Sequence, residues 1–384
     1  MNTSFLALHG QQAFLAMSLR LVNIHNIIGR RFLHKEASFI ARTIRTLGTA
    51  GKPKAVFLNA SRLDYDNKLD WTGLQTICDL TLNRTDYVRD KATMLQLVQD
   101  ADIVITKEME VPIDSFADFP DSVRLLCEAG TGFNNLPIQK ARERNILVCN
   151  VPTYSTEAVA HMAITYLMNL SVSMFDQQRM LWEGDRSNFT GPFTLPLHEI
   201  NGKTIALIGG AGRIGSKVAE IALALGMHVK ITSRRGSLPP DHVLYGHPKV
   251  ECTDCVDSVL SQADYVSLHT PLNAETRGTF GRKQISLMKS SAFLINTSRG
   301  AVCNEDELIA CLEEGLIAGA GLDVTATEPA APDSKLWGLK NVWLSPHAGW
   351  RRLETRQRLV NMTCDNIDSF CNATSEDDII NVVN

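Results

Sequence analysis

Three segments carry residues that could do chemistry together: INTSRGAV at 295–302, GLDVTATEP at 321–329 and WLSPHAGW at 343–350. Each contains an apolar run suited to a strand, followed by one charged or titratable residue: Arg299, Glu328 and His347. In an open parallel α/β sheet, ligands bind at the carboxyl ends of the strands. A guanidinium, a carboxylate and an imidazole at one such edge can hold a small carboxylic acid and move a proton on it. Arg299 suits the carboxylate and the carbonyl, because its planar fork binds bidentately and stays charged. His347 suits proton transfer to the carbonyl oxygen. Glu328 can accept a hydrogen bond from the other ring nitrogen and so fix the tautomer. Each residue alone also has a structural reading, as a salt bridge, a solvated acid and a core histidine. Their joint position after strands of one sheet is what points to catalysis.

A second motif, Gly210-Ala-Gly-Arg-Ile-Gly215, follows the apolar run Lys203–Gly209 and opens an amphipathic helix. In that context GxGxxG reads as a dinucleotide turn. Gly210 permits the tight bend, Gly212 lets backbone approach a pyrophosphate, and Gly215 allows close helix–sheet packing. Arg213 and Ile214 then offer helix N–H groups to phosphate. Together the motifs imply hydride transfer between a pyridine nucleotide and a 2-oxo or 2-hydroxy acid. The second strand of this unit, Val229–Thr232, ends at Ser233-Arg234-Arg235. An NAD-preferring site carries Asp or Glu about 20 residues after the glycines to bind the ribose 2′-hydroxyl. Ser233 stands 18 positions beyond Gly215, with two guanidiniums beside it. NADP(H) is therefore expected in preference to NAD(H), the alternative being a solvated basic loop.

NTSRGAV, GLDV…TEP and PHAGW resemble the signatures of the D-isomer-specific 2-hydroxyacid dehydrogenase family. The resemblance extends to Gly130-Thr-Gly-Phe-Asn-Asn135, Cys149-Asn-Val-Pro152, His269-Thr-Pro-Leu272 and the terminal Asn-Val-Val-Asn384, and so covers about 53–384. It implies that Arg299 binds and activates substrate, Glu328 supports His347, and His347 is the acid/base. It further implies that Gly130, Thr131 and Gly132 offer backbone N–H groups to the substrate carboxylate. His269, Thr270, Pro271 and Thr297 would line the cofactor cleft, and Asp323 would face the nicotinamide amide. Glyoxylate or hydroxypyruvate is the favoured type of substrate, and a homodimer built through the cofactor domain is expected. The corepressor relatives of the family leave open a second reading, an NAD(H)-sensing binding protein. His161 stands where the family usually carries Glu or Gln, and is read as interface packing.

These residues need two sets of βαβ units to position them. Strands are expected at Lys54–Asn59, Asp102–Thr106, Val123–Cys127 and Ile146–Cys149, then at Lys203–Gly209, Val229–Thr232, Tyr265–His269, Phe293–Asn296, Ala320–Val324 and Val342–Ser345. Alternation with helical patterns predicts two doubly wound parallel sheets. A helix apolar on most faces spans Thr156–Val172 and belongs at a domain junction or subunit interface. The expected fold is an α/β, Rossmann-type cofactor domain inserted into a flavodoxin-like substrate domain. Its boundaries are 1–52 for an N-terminal extension, 53–152 and 349–384 for the substrate domain, and 153–348 for the cofactor domain. Ile379–Val383 should return to the first unit.

At 384 residues, 44% apolar and 21% charged, the chain can bury two cores. A net charge of −4 gives no basic excess for nucleic acid. No apolar run reaches membrane-spanning length. Nine scattered cysteines read as reduced intracellular thiols, and the Cys252/Cys255 pair lacks a partner pair at zinc spacing. Residues 1–52 hold seven Lys/Arg against the single acid Glu36. This pattern resembles a mitochondrial transit peptide, with a disordered extension or a later start at Met17 as alternatives. A cytoplasmic protein is expected, or a mitochondrial one if the leader targets.

Overall fold

The computed structural model of the chain describes residues 51–384; the leader, except Gly51 and Lys52, lies outside them. The first sheet is formed by β1 (Lys54–Phe57), β2 (Asp79–Leu82), β3 (Ile103–Thr106), β4 (Leu125–Glu128) and β5 (Leu147–Cys149). Its strands are all parallel, in the order β2-β1-β3-β4-β5. That is the flavodoxin-like arrangement, with its switch point between β1 and β3. The central strands read as apolar runs because both faces are covered: β3 and β4 are buried throughout.

The second sheet is formed by β6 (Thr204–Ile208), β7 (His228–Thr232), β8 (Val250–Thr253), β9 (Tyr265–Leu268), β10 (Phe293–Asn296), β11 (Gly319–Leu322) and β12 (Val342–Leu344). Its parallel order is β12-β11-β10-β9-β6-β7-β8, the Rossmann arrangement with an added outer strand. Here the switch point falls between β6 and β9, the two strands followed by the glycine turn and by His269-Thr270-Pro271. The expected α/β class with two doubly wound sheets is what the chain adopts.

The helix Thr156–Val172 forms over the expected residues. It buries Ala160, Ala163, Tyr166, Leu167 and Leu170 into the core around β6, β7 and β10. One face of the helix is thus a wall of the cofactor-side unit, while Glu157, His161, Thr165 and Met168 stay exposed on the other. The helix Glu305–Glu313 is capped by Asn304, whose side chain accepts from the Glu307 amide, and ends before Gly315 at φ +69°.

After β12 the chain crosses back. The helix Leu353–Asn372 contributes Leu359, Val360, Ile367 and Phe370 to the core of the first sheet. Arg356 locks this return: its Nη1 and Nη2 donate to Asp66 Oδ1 and Oδ2, each at 2.8 Å, and Nη1 also to the Leu63 carbonyl. The expected last strand is smaller than the sequence suggests. Residues 379–383 make one antiparallel bridge, Cys149 with Val382, at the β5 edge of the first sheet.

Candidate active site

The glycine turn has the crowding a dinucleotide site requires. A Cβ at Gly210 would collide with Leu207, and one at Gly215 would collide with Gly210. A Cβ at Gly212 would meet nothing within 4 Å, so that face is open. Gly212 is the N-cap of the twelve-residue helix Arg213–Ala224, whose first turn presents unpaired N–H groups and positive dipole there. Across the switch point, His269 Nε2, Thr270 Oγ1 and Thr297 Oγ1 are buried with no hydrogen-bond partner, as is Ser267 Oγ behind them. Buried polar atoms left without partners at strand ends beside a phosphate cradle fit a polar ligand laid across the sheet. Burial holds the His269 imidazole down at about 4, so the ring is neutral there. Pro271 uses its carbonyl to accept from Thr276 Oγ1. At the end of β7, Ser233 is half-buried, and its amide donates to the Thr253 carbonyl. Arg234 and Arg235 are exposed, without an ion pair among the described residues.

Arg299, Glu328 and His347 all line one cleft of about 810 Å³. Arg299 follows β10 through a turn organised by Asn296, whose Oδ1 accepts from the Ser298 amide and hydroxyl while its Nδ2 donates to the Arg299 carbonyl. The guanidinium lies against Gly132 so closely that a Cβ there would collide with it. Gly130–Gly132 is itself fixed: Thr131 Oγ1 donates to the Val151 carbonyl, and Asn150 Nδ2 to the Thr131 carbonyl. Gly132 and Arg299 are thus brought together from different sheets.

His347 follows β12 with φ +49°, a left-handed conformation uncommon for a non-glycine residue. Its amide donates to the Asp323 carbonyl at 2.8 Å. The Asp323 carboxylate holds the rest of the turn: Oδ1 accepts from the Ser345 hydroxyl and the Ala348 amide, and Oδ2 from the Gly349 amide at 2.8 Å. Burial pushes this carboxyl up against the opposing effect of those bonds. Asp323, which the family resemblance aims at the nicotinamide amide, lines the same cleft, and its carboxylate also anchors the turn that carries His347. The imidazole Nδ1 lies 2.7 Å from Glu328 Oε2, and Nε2 faces the cleft. His161 stands outside this site, exposed on its helix and 3.9 Å from Glu157.

Sequence reasoning missed what lies opposite His347. At the first sheet's switch point, β3 ends in Lys107-Glu108, and Arg62 follows β1. Lys107 is buried beneath the Trp350 ring, 4.0 Å from its centroid, with its Nζ 2.9 Å from Glu108 Oε1. Arg62 Nη2 donates to Glu108 Oε2 at 3.0 Å. Burial would lower the Lys107 ammonium, but the charge of Glu108 beside it keeps it raised. Burial would likewise raise Glu108, yet Lys107, His347 and Arg62 together hold it well below the usual carboxylate range. The available signal was a charged pair directly after a buried parallel strand, where ligands bind.

A phosphate cradle at one switch point, facing an arginine–carboxylate–imidazole cleft, defines a nicotinamide-dependent α/β dehydrogenase. Residues 164–349 match the family described as D-isomer specific 2-hydroxyacid dehydrogenase, NAD binding domain. The chain is 34% identical over 322 residues to a hydroxypyruvate reductase of Blautia hydrogenotrophica, covering 82% of this chain and 95% of that protein. It is 33% identical to a glyoxylate reductase of Korarchaeum cryptofilum, over 76% of this chain and 86% of the relative. A solved glyoxylate reductase from Paecilomyes thermophila superposes with a TM-score of 0.71 at 26% identity, covering 87% of this chain and 99% of that one. The chain belongs to the D-isomer specific 2-hydroxyacid dehydrogenase family and is an enzyme of that class, with a nicotinamide cofactor.

Proposed function

We propose that this enzyme reduces small 2-oxo acids of the glyoxylate and hydroxypyruvate type to D-2-hydroxy acids, with NADPH preferred. The observation that carries the reading is the 2.7 Å contact of His347 Nδ1 with Glu328 in the cleft that also holds Arg299. Arg299 and the amides of Gly130–Gly132 bind the substrate carboxylate, and the guanidinium also polarises the C2 carbonyl. Glu328 accepts a hydrogen bond from Nδ1–H, so the cleft-facing Nε2 carries the proton that moves. When bound, the nicotinamide supplies a hydride to C2. His347 Nε2 gives its proton to the C2 oxygen as the alkoxide develops there.

Gly210, Gly212, Arg213, Ile214 and Gly215 hold the pyrophosphate, with His269, Thr270, Pro271 and Thr297 along the cleft wall. Ser233, Arg234 and Arg235 meet the adenosine ribose. There, two exposed guanidiniums, without an ion pair among the described residues, and the lack of a carboxylate at position 233 itself favour a 2′-phosphate. The test is turnover on a panel of 2-oxo acids with each cofactor. Glyoxylate and hydroxypyruvate reduced with NADPH support the reading, and rates at background on every acid overturn it.

A further inference from the structure

Glu108 is built to face the reacting centre. Its backbone sits at φ +51°, a left-handed conformation held by its own amide, which donates to Glu128 Oε1 at 2.8 Å. Glu128 is in turn fixed by bonds from the Thr106 hydroxyl and from Asn135 Nδ2. Residues held in this region by several surrounding contacts concentrate where side-chain direction matters. The result points Glu108 Oε1 at the catalytic imidazole, 3.7 Å from His347 Nε2. That separation is too long for a hydrogen bond, and both residues line the cleft.

The two cations beside Glu108 are committed to it. Lys107 is sealed under Trp350 and donates to Oε1; Arg62 donates to Oε2. Each carboxylate oxygen has more than one acceptor site, so both can accept again. A substrate oriented for reduction places its C2 oxygen about 2.8 Å from His347 Nε2. A hydroxyl on C3 lies beside that oxygen and so comes within reach of Oε1, itself 3.7 Å from the same nitrogen. A carboxylate there accepts from a C3 hydroxyl, whereas a hydrogen or methyl group leaves it facing an apolar surface.

Building on the reductase reading above, we infer that Glu108 determines substrate choice by accepting a hydrogen bond from the C3 hydroxyl of a 3-hydroxy-2-oxo acid. The enzyme is accordingly specialised for hydroxypyruvate-type acids over those with an unsubstituted C3.

The experiment compares kcat/KM for hydroxypyruvate, pyruvate and glyoxylate in the wild-type protein, Glu108→Gln and Glu108→Leu. The first two acids differ only in the C3 hydroxyl, so any general effect of a substitution on the common chemistry cancels in their ratio. The wild type should favour hydroxypyruvate over pyruvate by about 10- to 100-fold, the value of one hydrogen bond to a charged group. Glu108→Gln should reduce that ratio several-fold, and Glu108→Leu should bring it close to one. A purely structural role would slow both acids alike and leave the ratio at its wild-type value, which overturns the inference. If the variants do not fold, the wild-type ratio still decides, because a value near one overturns it too. Glyoxylate has no C3. Failure to reduce it refutes the reading of the whole site, whereas turnover of glyoxylate with no preference for hydroxypyruvate refutes Glu108's role alone.

Discussion

Glu328→Gln isolates what the carboxylate does for the imidazole. The wild-type contact joins Glu328 Oε2 to His347 Nδ1 at 2.7 Å, with side chains 33% and 15% exposed. Glutamine keeps an acceptor oxygen in the same place, so the ring orientation and tautomer survive. What disappears is the charge that stabilises the imidazole when it holds two protons. A hydrogen bond to a charged group contributes about 1.5–3 kcal/mol and a neutral one about 0.5–1.5 kcal/mol. With a third of Glu328 in solvent, screening favours the smaller difference, about 1 kcal/mol, or about fivefold in rate. Glu328→Ala removes the acceptor as well and should cost about 10²-fold or more. The assay is kcat for hydroxypyruvate, followed by loss of NADPH absorbance. KM should move little, because Arg299 and the Gly130–Gly132 loop are untouched. Wild-type kcat in Glu328→Ala would refute the coupling of this carboxylate to His347.

Ser233→Asp combined with Arg234→Ala should move the NADPH/NADH ratio of kcat/KM toward NADH by about 10²-fold, by adding repulsion and removing a phosphate fork; an unmodified enzyme that uses NADH equally well contradicts the assignment. Arg356→Ala should lower the urea unfolding midpoint, since it removes the buried guanidinium that ties Asp66 and the Leu63 carbonyl to the return helix; an unchanged midpoint would show that the return helix is held by its apolar face alone. His269 provides a pH signature. Its folded-state value near 4 lies below the ordinary 6.5, so the unfolded chain takes up a proton that the folded one does not. The associated stability is complete above about 6.5 and lost as pH falls toward 4, with about 2 kcal/mol gone by pH 5. His269→Gln should flatten the difference between pH 8 and pH 5 in the cofactor-free protein by that amount, and an unaltered pH dependence would count against a buried neutral ring.

Most of the second sheet was legible because its strands are buried on both faces and so read as continuous apolar runs. The glycine turn, the Arg299 turn and the His347 turn each follow such a run. The strands that escaped notice, β2 at Asp79–Leu82 and β8 at Val250–Thr253, lie at the sheet edges and consist only of exposed and half-buried residues. Edge position weakens the apolar pattern that signals a strand. The short helix Ser187–Thr190 buries nothing and so leaves no periodic trace. Lys107 and Glu108 escaped for another reason. A lysine and a glutamate side by side look solvated in sequence, and only the fold places them under Trp350, between Arg62 and the imidazole. Asp323 shows the reverse case: its motif was recognisable, but its bonding to residues 345–349 depends on how β11 and β12 lie together.

The central claim is that His347 delivers the proton as the 2-oxo acid is reduced. Its most direct test is single-turnover reduction of hydroxypyruvate by NADPH-loaded His347→Ala, with NADPH binding measured separately by fluorescence. The rate should fall by about 10²–10⁴-fold with cofactor binding intact. A variant that binds NADPH normally and reduces the acid at the wild-type rate would contradict it.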